Sequence, residues 1–329
     1  MFDDKRIELV HFQITRNCNL RCWFCGQWGK KGFFSGADGE EMTFADWQKV
    51  THSLIQYKTK TGNCPNVILW GGEPLVCKDF GNIAKMLYDN GFELAMVTNG
   101  VLIDKWADVI NKYFKRIYLS IDGNKDVHNS IRGEGVFEKA LSNIKLIDKR
   151  VERIIMTVVT QSILDDLQNL PFELEQFEPN ELYLQPLICL SKQEIDDYKH
   201  WFDDCFGRQP LEIDSWQMDI SDDFFAKRQE KLEQVRNTQY PFKVTVIGHA
   251  DQAKREYCLS PFRHIHIAWN GNVLYCTDFY DFCAGNVKQQ DVIDIFNNNL
   301  SDKYREQIKN KNCATCNHCS WRNNQSFKF

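Results

Sequence analysis

Apolar and polar positions alternate along the chain in short blocks. IELVHFQI (7–14), NVILW (66–70), ELAMVT (93–98), RIYLSI (116–121), RIIMTVVT (153–160) and ELYLQPL (181–187) are strand-length apolar runs rich in Ile, Val, Leu and Tyr. Between them the period lengthens. In TFADWQKVTHSLI, Trp47, Val50 and Leu54 fall on one helical face, and Thr43 with Asp46 forms a capping-box pattern. NIAKMLYDNG reads as a helix stopped at Gly91, and VFEKALSNIKLI sets Phe137, Leu141, Ile144 and Ile147 on one side. Strands interleaved with helices predict βαβ units and a parallel sheet. Six strands fall short of the eight of a closed α/β barrel, so the expectation is an α/β fold with an open, partial (β/α)6 barrel.

After the sixth run the pattern changes. Residues 191–256 are rich in Asp, Gln and Lys, with a helix and a connector until FKVTVIG (242–248). From 258 a small β unit begins: HIHIAWNGNVLYC carries an Asn270-Gly271 turn between alternating strands, a strong hairpin signal. DVIDIFNNN adds a helix. The expected organisation is a barrel over 1–200, a helical connector over 201–242 and a small β-hairpin/α domain over 243–329. No repeats or low-complexity tracts interrupt it.

Composition narrows the function classes. The chain has 329 residues, 43% hydrophobic and 26% charged, and a formal net charge of −5. That is enough apolar material for a full core, and no basic block invites nucleic acid. The start, MFDDKRIELV, lacks the apolar core of a signal peptide, and no run reaches the length of a membrane span. The expected location is the cytoplasm. Thirteen cysteines are many for a reducing compartment, where clustered thiols point to metal or redox chemistry rather than disulfides. Cys18, Cys22 and Cys25 form one group; Cys258, Cys276, Cys313, Cys316 and Cys319 form another. Cys64, Cys77, Cys189, Cys205 and Cys283 are scattered and read as small buried hydrophobes.

The first group, CNLRCWFC at 18–25, follows the first strand. Three thiolates are too few for a closed tetrahedral zinc site and suit a metal centre with one position open. Loops after parallel strands gather at the C-terminal edge of the sheet, where ligands bind. Three more of those loops carry Gly71-Gly72-Glu73-Pro74, Thr98-Asn99-Gly100, and Ser120-Ile121-Asp122-Gly123 with Arg132-Gly133 beyond it.

In these residues the chain resembles the radical S-adenosylmethionine (SAM) superfamily, whose signature is C-x3-C-x-aromatic-C after the first barrel strand. Cys18, Cys22, Phe24 and Cys25 stand in those places. The resemblance implies a [4Fe–4S] cluster on the three cysteines, with the fourth iron left for the amino and carboxylate groups of SAM. It implies adenine contact near Phe24 and methionine-amino contact by the Gly72-Glu73 turn. Ser120 would contact ribose or carboxylate, and Arg132 the carboxylate. Asn99 and Thr157 are further cofactor contacts on the same basis. The chemistry implied is reductive cleavage of SAM to a 5′-deoxyadenosyl radical that abstracts hydrogen, with the electron from a flavodoxin- or ferredoxin-type donor.

The second group spaces Cys258, Gly271 and Cys276 as C-x12-G-x4-C across the hairpin and ends in Cys313-x2-Cys316-x2-Cys319. It resembles the SPASM and twitch auxiliary-cluster modules of the same superfamily. Five cysteines imply the shorter twitch form with one auxiliary [4Fe–4S] cluster. Cys258, Cys276, Cys313 and Cys316 match best, and Cys319 either replaces Cys316 or stays a free thiol. A structural zinc site is the alternative, since CxxC pairs are common zinc ligands.

Only 17 residues precede Cys18, so no N-terminal peptide-binding domain is expected. The leading reading is an oxidoreductase achieving net oxidation of a small molecule. The alternatives are a peptide maturase served by a separate delivery partner, an epimerase with a cysteine hydrogen donor, and a non-catalytic metal-binding module.

Overall fold

Each of the first six strands contributes apolar side chains to both of its faces, because both faces are covered. The computed structural model describes residues 5–29, 31–36, 39–218, 220–247, 257–310 and 313–317. Strands β1 (Leu9–Gln13), β2 (Asn66–Trp70), β3 (Leu94–Thr98), β4 (Arg116–Ser120), β5 (Glu152–Val159) and β6 (Glu181–Pro186) lie side by side in chain order, all parallel. The crossovers carry α1 (Phe44–Thr61), α2 (Phe80–Asp89), α3 (Ile103–Tyr113), α4 (Lys125–Arg132), α5 (Val136–Ile144) and α6 (Leu170–Leu174). Val10, Phe12, Val67, Leu69 and Met96 pack outward against helix residues such as Trp47, Leu54 and Ile83. Leu9, Ile68, Ala95, Tyr118, Ile154 and Tyr183 form a separate cluster on the inner face. A parallel sheet covered on both sides needs apolar residues on both faces, and polar His11, Ser120 and Gln185 enter the inner face where it borders cavities.

Local signals behave as expected. Thr43 and Asp46 close the capping box of α1. After α2 the chain turns at Gly91, whose φ of 74° is disfavoured for other residues. The Asn270-Gly271 turn forms, with Gly271 at φ 92° donating its N–H to the Ala268 carbonyl.

Two short strands differ from the expectation. The sequence reading ends the open barrel at six strands and assigns 243–329 to a separate domain. The structure places β7 (Lys243–Val246) parallel on β6, after α7 (Lys192–Phe206) and α8 (Asp222–Arg236). It places β8 (His264–Ile267), which follows α9 (Ser260–Arg263), parallel on β1. Antiparallel β9 (Asn272–Leu274) and β10 (Gly285–Asn286) then extend the same sheet, before α10 (Val292–Asn297) and α11 (Asn299–Lys309). The result is one open ten-stranded sheet, β10-β9-β8-β1-β2-β3-β4-β5-β6-β7. A four-residue strand shows its period in sequence but not its neighbour, because pairing is decided by long-range packing. The functional consequence is that the second cysteine group is joined to the barrel through β8, beside the strand that leads into the first group.

Candidate functional site

The loop after β1 is held before any metal is considered. Thr15 Oγ1 donates to Glu41 Oε1 (2.7 Å), and the Arg16 N–H donates to the same oxygen (2.8 Å). The Cys25 N–H donates to the Cys22 carbonyl. Arg21 donates to the carbonyls of Cys18 and Leu20 (2.7 Å each), and its guanidinium lies 4.4 Å from the Trp28 ring centroid. Trp28 Nε1 in turn donates to the Arg16 carbonyl (2.6 Å). Two backbone N–H groups point at sulfur: Leu20 to Cys18 Sγ and Trp28 to Cys25 Sγ, both at 3.4 Å. Such N–H···S contacts are among the levers that set iron–sulfur potentials.

The Gly71-Gly72-Glu73 turn presses against that loop. Gly72 N–H donates to the Thr15 carbonyl (3.0 Å) and Glu73 N–H to the Asn17 carbonyl (2.8 Å). A Cβ on Gly72 would lie 2.4 Å from the carbonyl oxygens of Arg16 and Asn17, so only glycine permits this approach. Glu73 is 1% exposed and held through both carboxylate oxygens. Its Oε1 accepts from Thr98 Oγ1 (2.8 Å) and Leu75 N–H (3.2 Å), and its Oε2 accepts from Asn99 N–H (2.8 Å). Burial pushes its carboxyl up to about 7, against these hydrogen bonds and the pull of Arg132.

Cys18, Cys22, Cys25, Phe24, Gly72, Glu73, Asn99, Ser120 and Arg132 line one cavity of about 140 Å³. Sequence reasoning singled out all nine. Thr157 stands apart: its hydroxyl donates to the Ile121 carbonyl inside the wall, and it does not line the cavity. Trp28 and Trp70 also line the cavity, and the sequence reading passed over them although Trp28 stands three residues after Cys25 and Trp70 directly before Gly71. Among the described residues, Glu73 is the one carboxylate and Arg132 the one cation on this lining. Burial pushes the Cys18 thiol up to about 12 and raises Cys22, the latter opposed by Arg132. Metal binding must therefore displace protons here, the usual coupling at a thiolate site.

The second group is also gathered. Cys258, Cys276, Cys313 and Cys316 belong to one apolar cluster with Tyr198, Phe282 and Tyr304, and all four thiols act electrostatically on the Tyr304 hydroxyl. The Phe279 N–H donates to Cys276 Sγ (3.4 Å), and Cys316 N–H donates to the Cys313 carbonyl (3.3 Å). Phe282 stacks on Tyr304 with centroids 4.1 Å apart. Cys319 lies outside the described residues. Among the described residues no three His, Cys, Asp or Glu side chains meet at the spacing of a single metal ion.

A second cavity, about 150 Å³, opens inside the barrel. It shares Trp70 and Val97 with the first and is bounded by His11, Tyr118, Met156 and Gln185. Ile68 and, directly after Cys276, Thr277 and Asp278 complete its wall. Trp70 Nε1 and Asp278 Oδ2 are buried with no hydrogen-bond partner among the described residues. The cavity thus adjoins the first cysteine site on one side and the second on the other.

Residues 12–170 match the sequence model of the radical SAM superfamily, and residues 258–320 match that of SPASM, an iron–sulfur cluster-binding domain. The chain is a radical SAM enzyme. It is 25% identical over 330 residues to the AdoMet-dependent heme synthase of Methanosarcina barkeri, covering 94% of this chain and 88% of that one. It is 23% identical over 351 residues to the cysteine-type anaerobic sulfatase-maturating enzyme of Clostridium novyi, covering 96% and 86%. In fold it resembles native anSMEcpe with bound AdoMet and Cp18Cys peptide (TM-score 0.67, 16% identity, 96% of this chain and 86% of that one). It also resembles Streptococcus suis SuiB (TM-score 0.65, 13% identity, 96% and 72%). A radical SAM domain followed by a SPASM domain carries a SAM-binding [4Fe–4S] cluster and auxiliary iron–sulfur binding. The residues fit both: among the described residues, three thiols share a cavity with the Glu73 carboxyl and the Arg132 guanidinium, and four more lie around the Tyr304 hydroxyl. Among the described residues, no helix is long and apolar enough to cross a membrane.

Proposed function

We propose that this radical SAM enzyme carries out a net oxidation of a small alcohol-bearing molecule in the cytoplasm, fed by a flavodoxin- or ferredoxin-type donor. The supporting observation is the cavity bounded by Trp70 and Val97 on the SAM side and by Thr277 and Asp278 on the auxiliary side. Cys18, Cys22 and Cys25 would hold the cluster that supplies the electron for SAM cleavage, and Cys258, Cys276, Cys313 and Cys316 would hold one auxiliary cluster able to take up the electron left on the substrate. Glu73 holds the amino group of the methionine moiety and Arg132 its carboxylate. Phe24, Asn99 and Ser120 complete the cosubstrate's wall.

A hydroxyl group matches the second cavity because it accepts and donates at once. Trp70 Nε1 is a donor and Asp278 Oδ2 an acceptor, each without a partner among the described residues. At roughly 30 Å³ per water, the cavity holds about five waters, the volume of a side chain or sugar-sized group. A second reading is a peptide whose side chain enters the same cavity. It is favoured by the 23% identity to a sulfatase-maturating enzyme over 96% of this chain.

The test uses anaerobic holoenzyme, SAM and dithionite with C–D-labelled polyols in one arm and C–D-labelled peptides in the other. The expected result is deuterium in 5′-deoxyadenosine from a polyol, with one 5′-deoxyadenosine per oxidised product. Transfer from peptides alone would move the assignment to the second reading. Recovery of substrate with inverted stereochemistry and a solvent hydrogen would overturn oxidation. It would point instead to a thiol donor among Cys189, Cys205, Cys283 and Cys319.

A further inference from the structure

We propose that Asp122 is a positioning residue that aims Arg132 at the SAM carboxylate, with His128 holding Asp122 in place. The inference rests on the reading of Arg132 as the carboxylate's partner.

Arg132 is the last residue of α4 and would be a mobile side chain if left alone. It is not left alone. Asp122, 0% exposed, accepts its Nε at 2.7 Å. Using Nε for the anchor leaves the two terminal nitrogens of the fork, and among the described residues they have no protein acceptor. They belong to a side chain that lines the SAM cavity, so the ligand is their natural partner. A fork fixed through one nitrogen presents the others in a defined plane, which suits a carboxylate.

Asp122 is itself fixed from two further sides. Its Oδ1 accepts the Val158 N–H of β5 (2.9 Å). Its own N–H donates to His128 Nδ1 on α4 (3.0 Å). That bond requires His128 to be neutral with its proton on Nε2. Burial, and then Arg132, hold its pKa down at about 3, so the acceptor persists at any working pH. Gly123, at φ 125°, then turns the chain into α4, where a Cβ would stand 2.9 Å from Val127 Cγ1. Asp122, His128 and Arg132 thus form one hydrogen-bonded unit that ties the end of β4 to α4.

Simple charge counting gives the opposite expectation. An anion beside Arg132 lowers the local positive potential, so removing it should tighten binding of a carboxylate. Positioning predicts the reverse, which makes the two separable. In Asp122→Asn the amide oxygen can keep the Val158 N–H, but its nitrogen then faces Arg132 Nε, donor against donor.

The experiment measures equilibrium binding of SAM and of decarboxylated SAM to anaerobic holoenzyme, with iron content as a control. Variants are Asp122→Asn, Asp122→Glu, Arg132→Gln and the Asp122→Asn/Arg132→Gln pair. Asp122→Asn and Asp122→Glu should each weaken SAM binding about tenfold, the size of one charge-assisted hydrogen bond. The paired variant should bind SAM no worse than Arg132→Gln, and decarboxylated SAM should bind all variants as it binds the parent. Unchanged or tighter SAM binding in Asp122→Asn, with Arg132→Gln impaired, would overturn the positioning role and leave the Arg132 reading standing. Equal losses for both ligands would also overturn it, since a structural defect does that. Unchanged binding in Arg132→Gln would overturn the Arg132 reading itself.

Discussion

Replacing Cys18, Cys22 and Cys25 together by Ala will reduce 5′-deoxyadenosine formation to the level of a protein-free control. It will leave about half of the iron, four of about eight atoms per chain in reconstituted parent. The expectation follows from the separation of the two sites. The first three thiols line the cavity that holds Glu73 and Arg132, while the second four lie in an apolar cluster around Tyr304. The loop itself should stay folded, because Glu41, Arg21 and Trp28 hold it through oxygen and nitrogen contacts that do not involve sulfur. Iron analysis and far-UV circular dichroism check both halves. Loss of all iron, or retained cleavage, would contradict the assignment.

The second large effect lies at the other site. Cys258→Ala combined with Cys276→Ala will uncouple the reaction: reductant and SAM still give 5′-deoxyadenosine, but oxidised product is not released. A substrate radical that must lose an electron needs an acceptor near the cavity, and Thr277 and Asp278 connect that cavity to Cys276 by backbone alone. The variant will also unfold at lower temperature, because cluster binding contributes folding free energy at a thiolate site. Product analysis beside 5′-deoxyadenosine quantitation reads the uncoupling. Product formation at the parental ratio would exclude an electron-accepting role for this site. Stoichiometric zinc without iron–sulfide absorbance would replace it with a structural metal.

How much of this was legible in sequence depended on the range of the interaction. The capping box at Thr43 and Asp46, the turn at Gly91 and the hairpin turn at Gly271 are local, and all three form. The four loops carrying the cysteines, Glu73, Asn99 and Ser120 were readable because parallel topology places the ends of adjacent strands together. The partners of β7 and β8 were not readable. Four-residue strands carry a period of two and no address, so their union with β6 and β1 emerged only from packing. Thr157 is a different case: a polar residue on a central strand near the site, whose hydroxyl donates to the Ile121 carbonyl. Glu41 and Asp122 were missed for a common reason. Each acts by accepting hydrogen bonds from residues that precede or face the site, and an acidic residue in a loop gives no sign of this in sequence. Trp70 was hidden by its strand, where an aromatic reads as ordinary core.

The measurement that tests the central claim most directly is the product analysis of SAM after anaerobic incubation of reconstituted protein with dithionite. Reductive cleavage at the site of Cys18, Cys22, Cys25, Glu73 and Arg132 predicts 5′-deoxyadenosine and methionine in equal amounts, dependent on reductant. S-adenosylhomocysteine or methylthioadenosine in their place, or equal yields without reductant, would contradict it.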